Sequence, residues 1–171
     1  MNEKTLKIRF HGAVHAVPEK IAVRFFRNGH AETDLTYREL GHDSNKMAWL
    51  FMDNGVKKGD RVLLFLDKSL VFVIAHAALQ KLGAISVPVN PESTEMEIAY
   101  LMEDADARLI LAGKKQAVIV RKIGTGIRII DMDTDIPYQS VELHRSFSSD
   151  LPETAVSPDD PGLMIYTSGT T

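Results

Sequence analysis

Cysteine is missing from the sequence altogether, which removes disulfides, thiolate metal sites and a cysteine nucleophile in one step and fits a reducing compartment. An excess of charge is missing as well. Twenty Lys and Arg face 23 Asp and Glu, leaving a net charge of -3, and nothing in that balance asks for nucleic acid or an anionic membrane as partner. No apolar run approaches the roughly 20 residues that span a bilayer. Charged residues recur every few positions near the N-terminus, unlike a signal peptide. Internal repeats and low-complexity tracts are also lacking. The expected setting is cytoplasmic, with no membrane span.

What is present is ordinary for a globular domain: 171 residues, 44% hydrophobic and 25% charged, enough for one domain with a sizeable core. Residues 5–16 read as a helix, ended by Val17 before Pro18. His11 and His15 share a face at a spacing that metals use, but no third ligand accompanies them, so a solvated pair is expected. Ile21 to Phe26 reads as a strand, Asn28-Gly29 as a turn, and a second short strand lies near Asp34-Leu35. Thr36 and Glu39 form a capping box for a helix carrying Tyr37, Leu40, Met47, Leu50 and Phe51, which Asn54-Gly55 stops.

From there strands and helices alternate. Arg61 to Leu66 is apolar on both faces, as a central parallel strand is. A helix over 69–82 turns Val71, Ile74, Ala75, Ala78, Leu79 and Leu82 inward, with Gly83 past its end. His76 on that helix is read as a packing or surface histidine. A strand at 84–89 is broken by Asn90-Pro91. A second capping box, Thr94 with Glu97, opens a helix through Ile98, Leu101 and Met102. Strand 108–112, a short helix near 115–121 and strand 127–130 complete the series. The pattern predicts one α/β domain over 1–171, a mostly parallel sheet with helices on both faces joined by right-handed crossovers.

Two motifs are set aside. Gly124 and Gly126 make a lone G-x-G that precedes a strand, whereas a dinucleotide fingerprint follows one. Asp131, Asp133, Asp135 and Glu142 match a calcium loop except at the sixth place, where Ile136 stands instead of glycine and Pro137 follows. Residues 133–161 read as an irregular connector. The apolar run 162–166 reads as a buried strand. It opens into Thr167, Ser168, Gly169, Thr170 and Thr171, all small, hydroxylated or glycine. Such a turn offers backbone N–H groups and hydroxyls to an anion such as a nucleotide phosphate, though it is not the Walker-type loop.

Tyr166 to Thr171 resembles the first part of the signature loop of the adenylate-forming superfamily: acyl- and aryl-CoA synthetases, luciferases and peptide-synthetase adenylation domains. Two further blocks resemble that superfamily in the same order: Leu35 to Leu40, and Leu79 to Pro91 with its glycine, two prolines and asparagine. Ser157 to Pro161 resembles the usual approach to the loop. The resemblance implies a three-layer αβα, Rossmann-like fold, the N-terminal part of a larger adenylate-forming domain. It implies that Thr167, Ser168, Gly169, Thr170 and Thr171 bind the β- and γ-phosphates of ATP.

The reaction it implies joins a small carboxylic acid to ATP, giving acyl-adenylate and pyrophosphate, and then to coenzyme A, with Mg2+ assisting, as in fatty acid metabolism. The loop's lysine, the ribose-binding aspartate, the magnesium-binding glutamate and a C-terminal catalytic lysine are not among the 171 residues. These residues are therefore expected to be an N-terminal piece with no catalytic or metal-binding residue of its own. It would be inactive alone, hold no cofactor tightly and self-associate through exposed core surface. The alternatives are an adenylation domain that loads a carrier protein, and a non-enzymatic module that acts by association.

Overall fold

The computed structural model describes residues 5–124, 126–134, 138 and 147–167. The chain runs α1 (Leu6–Ala16), β1 (Ile21–Arg27), β2 (His30–Thr36), α2 (Tyr37–Asp53), β3 (Arg61–Phe65) and α3 (Leu70–Leu82). It continues through β4 (Ile85–Pro88), α4 (Glu95–Asp104), β5 (Ala107–Gly113), α5 (Lys114–Ile123) and β6 (Arg128–Met132). Strands β1 and β2 form an antiparallel hairpin, and the other four form a parallel sheet in the order β4-β3-β5-β6.

The local signals act where they were expected. Thr36 and Thr94 each accept from the backbone N–H three residues on, while Glu39 and Glu97 reach back to the cap N–H at 2.8 and 2.7 Å. The backbone and hydroxyl hydrogen bonds of Thr94 hold the Glu97 carboxyl below its ordinary range. Asn28 and Gly29 both take positive φ, 51° and 80°, the twist a two-residue hairpin turn requires. Strand β2 is longer than the short strand expected. His30 to Asp34 is polar, so its strand character comes from pairing with β1, reinforced by the Arg24–Asp34 ion pair at 2.8 Å.

Alternation along β3 and β5 divides the core in two. Val62, Leu64, Leu109 and Leu111 face α2 and α3, whereas Leu63, Phe65, Ile110 and Ala112 face α4 and α5. Every one of these eight side chains is fully buried, which is why both parities of the strands are apolar. The path from β3 to β4 crosses one face through α3. The paths from β4 to β5 and from β5 to β6 run the other way and cross the opposite face. A reversal of direction with a change of face is what a constant crossover hand demands. The result is the expected three-layer αβα arrangement.

Two features depart from the sequence reading. The run 162–166 is not a buried strand. It lies at the sheet edge, bridged to β4 only at Ser86–Leu163, and leaves Leu163 48% and Ile165 64% exposed. Its apolar residues cover one face, and among the described residues nothing covers the other. The second feature is a buried cation. Lys81, only 3% exposed, donates to Ser44 Oγ and Asn45 Oδ1 at 2.6 Å and to Gly41 O at 3.0 Å, with its amine 4.9 Å above the Phe10 ring. Burial, and then the Lys7 charge, push the amine down to about 7. The three acceptors and the ring are what offset that cost.

Leu79 is fully buried between α3 and the sheet. Leu79→Ala is expected to lower the unfolding free energy by about 2–5 kcal/mol in urea titration. Met96→Ala, at a position 83% exposed, is expected to stay within about 0.5 kcal/mol of the parent.

Candidate functional site

Parallel pairing decides where the hydroxyl-rich loop emerges. Ser86 N donates to Gly162 O at 3.2 Å, and Met164 N donates to Ser86 O at 3.0 Å, so the segment runs beside β4 in the same direction. Tyr166 and Thr167 therefore arrive with Pro88 and Asn90 at the carboxyl end of the sheet, where open α/β sheets hold ligands. A cleft of about 360 Å³ lies there, lined by Pro88, Asn90, Ser93, Glu97, Tyr166 and Thr167 among others.

Side chains secure the segment from two flanks. On the α3 flank, Gly162 O also accepts from Gln80 Nε2 at 2.6 Å and from Ser86 Oγ at 3.2 Å. A Cβ at position 162 would meet the Gln80 amide, so a larger residue there would displace the side chain that donates to Gly162 O. His76 Nδ1 lies 2.7 Å from Ser86 Oγ. The Ser86 hydroxyl thus lies between the imidazole and Gly162 O and links α3 to the edge segment. Burial holds the His76 pKa below its ordinary value.

On the α4 flank, Tyr166 Oη donates to Asp104 Oδ2 at 2.6 Å, and Tyr100 Oη donates to Asp104 Oδ1 at 3.3 Å. Desolvation first, then the Asp104 hydrogen bond and charge, push the Tyr166 phenol up to about 12, so it remains a donor at neutral pH. Ahead of the segment, Asp160 accepts from Ser157 N at 2.6 Å and pairs with Lys58 at 2.7 Å. This ties the approach turn to the start of the sheet.

Of the five phosphate-loop residues expected from the sequence, Thr167 stands exposed at the cleft. Ser168, Gly169, Thr170 and Thr171 lie outside the described residues. The described residues that line the cleft include no Lys or Arg, so among them are hydroxyls, an amide and the Glu97 carboxylate but no cation. His76, read as a packing or surface histidine, is half-buried against Ser86, while Asp104, Tyr100, Gln80 and Ser86 were missed by the sequence reading. Only the i, i+4 spacing of Tyr100 and Asp104 carries a local signal. Their other partners lie 76 to 82 residues away for Ser86 and Gln80, and 62 for Asp104.

A larger groove of about 590 Å³ lies at the opposite, amino-terminal end of the strands, among Arg61, Arg108, Arg128, Asp53, Asp60 and Asp106. Its charges balance, and the loop does not reach it. His11 and His15 approach to 3.1 Å between their Nε2 atoms on an exposed face. Among the described residues, no group of three or more His, Asp or Glu could hold a metal. In the acidic stretch, Asp131 belongs to β6 and pairs with Arg121, and Asp133 pairs with Lys114. Asp135, Ile136, Pro137 and Glu142 lie outside the described residues.

The sequence matches the AMP-binding enzyme family over residues 10–171, and the chain belongs to that family, within the adenylate-forming superfamily. It is similar to surfactin synthase subunit 3 of Bacillus subtilis, with 33% identity over 98% of this chain and 12% of that protein. It is also similar to the nonribosomal peptide synthetase sidE of Aspergillus fumigatus, with 34% identity over 98% of this chain and 7% of the relative. Among solved structures, it resembles a long-chain-fatty-acid-CoA ligase from Archaeoglobus fulgidus with a TM-score of 0.83 at 25% identity, covering 98% of this chain and 35% of that one. The N-terminal subdomain of Klebsiella oxytoca NpsA gives a TM-score of 0.78 at 27% identity, covering 99% and 40%. The chain thus spans a small part of the curated relatives and well under half of these solved chains.

The lowered pKa of His76 carries a sign. Between the folded value and the ordinary 6.5, the unfolded chain binds the proton and the folded chain does not, so this contribution to stability is lost as pH falls below 6.5. The thermal midpoint is expected to fall between pH 7 and pH 5. His76→Asn keeps a short amide near Ser86 but does not titrate, and is expected to flatten that slope.

Proposed function

We propose that the chain supplies the phosphate-binding entry of a site that adenylates a carboxylic acid with ATP. The observation that carries this reading is the arrival of Tyr166 and Thr167 beside Asn90 at the carboxyl end of a parallel sheet. Thr167, Ser168, Gly169, Thr170 and Thr171 would hold the β- and γ-phosphates through hydroxyls and backbone N–H groups. The substrate carboxylate attacks the α-phosphorus, the bond to the β-bridging oxygen breaks, and pyrophosphate leaves. A thiol sulfur then attacks the acyl carbonyl and AMP leaves. In-line displacement at phosphorus depends on positioning and on charge neutralisation.

The superfamily uses Mg2+ with ATP, and when bound the metal would supply positive charge to the phosphates. Glu97 is the acid lining the cleft, and its carboxylate is already committed to the N-terminus of α4. These described residues therefore do not fit a magnesium site. Among the described residues the cleft has no Lys or Arg, and the chain spans only part of its relatives' length, so these residues alone are expected to be inactive.

For the acceptor, two readings stand. Free coenzyme A, with a fatty acid as substrate, rests on the sequence resemblance and on solved neighbours named as CoA ligases. Loading of a carrier-bound thiol is supported by relatives at 30–34% identity named as peptide synthetases and synthases, and it is the reading we favour. Met96 and Tyr100 on α4, and Leu163 and Ile165 on the edge segment, are exposed apolar side chains, which supports self-association of the 171-residue species.

ATP–pyrophosphate exchange measured on the natural-length protein, with panels of amino acids and of fatty acids, tests the proposal. Acid-dependent exchange is expected at natural length and not from the 171 residues alone. Labelled acid should then appear as thioester on a carrier protein in preference to free coenzyme A. Exchange with no acid at any length would leave the association reading in its place.

A further inference from the structure

We infer that Asp104 is a positioning residue whose carboxylate, held between Tyr100 and Tyr166, sets the point from which the phosphate loop starts. The inference rests on the adenylation reading above and goes beyond it by assigning a role to α4. The last main-chain bond recorded between the edge segment and β4 is Met164 N to Ser86 O. Two residues, Ile165 and Tyr166, separate it from Thr167. Within that gap, among the described residues, the one polar side-chain attachment is Tyr166 Oη to Asp104 Oδ2 at 2.6 Å. Tyr166 immediately precedes the loop, so a fixed phenol fixes the direction in which the backbone leaves the sheet.

Asp104 is suited to be the fixed partner. Helix α4 is pinned at its start by the Thr94–Glu97 box and seated on the sheet by Ile98 and Met102. Its last turn carries no basic residue, and a carboxylate there opposes the helix dipole, so the acid brings the helix no advantage. Among the described residues Asp104 has no Lys or Arg partner. Both of its oxygens are instead taken by phenols, Tyr166 on Oδ2 and Tyr100 on Oδ1. Tyr100 is one helical turn before Asp104 and braces the carboxylate toward the edge segment. A charge-assisted hydrogen bond from a phenol is stronger than a neutral one, which suits a contact that must hold an edge with few backbone bonds.

The test uses the natural-length protein with Asp104→Ala, Tyr166→Phe, the double variant, and Asp104→Asn, which retains an acceptor oxygen. In pyrophosphate exchange, each single deletion is expected to raise KM for ATP by about fivefold, as the loss of one such bond does, with kcat changed less than about twofold and the thermal midpoint unmoved. The double variant should be no worse than either single one, since both remove the same bond, and Asp104→Asn should recover most of the affinity. Multiplicative effects in the double variant, or an unchanged KM, overturn the inference. If the wild-type protein shows no exchange at all, the adenylation reading fails on its own account. Amide hydrogen exchange at residues 165–167 then decides the positioning role: faster exchange in both single variants sustains it, and unchanged exchange overturns it.

Discussion

The carbonyl oxygen of Gly162 is the constraint on which the candidate site depends. Three donors converge on it: the Ser86 amide, the Ser86 hydroxyl and the Gln80 side chain. A single intramolecular hydrogen bond contributes only about 1 kcal/mol net, and an edge segment with one bridge has few of them. The side chains of α3 and β4 make up what the missing ladder does not supply. They can do so only because α3 is rigid. Ile74, Ala75, Ala78 and Leu79 are fully buried on the sheet, and that burial places His76 and Gln80 on the neighbouring stripe, facing the edge. The chain of cause runs from a helical apolar period, to a seated helix, to a clamped carbonyl, to the place where a hydroxyl-rich loop begins.

That order explains what could be read in advance. The capping boxes at Thr36 and Thr94, the Asn28-Gly29 turn, the inward stripe of α3 and the doubly apolar strands are local patterns. Each is written within a few residues, and the fold follows from their succession. The site is different in kind. Gln80, Ser86 and Asp104 matter through partners 62 to 82 residues away, and no local period encodes such a pairing. Lys81 stands in the same position. On a helical wheel it belongs to a polar boundary, and it is buried because α1 and α2 close over it with three acceptors and the Phe10 ring.

The misreading of 162–166 has a single physical origin. An apolar run reports that a segment will be buried somewhere, but not whether both of its faces find neighbours. Met164 and Tyr166 turn toward the core that α4 and α5 share with the sheet, while Leu163 and Ile165 turn outward. The alternation is that of a half-buried edge strand. His30 to Asp34 errs in the opposite sense, since a polar run became a full strand through pairing alone. In both, the partner strand decided the outcome, which is the usual reason strand propensity depends on context.

Cavity size and chemistry also point in different directions. The larger groove at the amino-terminal ends of the strands gathers three arginines and three aspartates, a balanced set of surface charges with Arg61 already paired to Asp106. Among the described residues the smaller cleft has no Lys or Arg but holds the strand ends, Asn90 and Thr167. A phosphate site needs convergent backbone donors first and cations second, because the donors fix where the oxygens lie and the cations set how strongly they are held. The Asp104 carboxylate beside the edge segment is committed to two phenols, with Tyr166 on one oxygen and Tyr100 on the other.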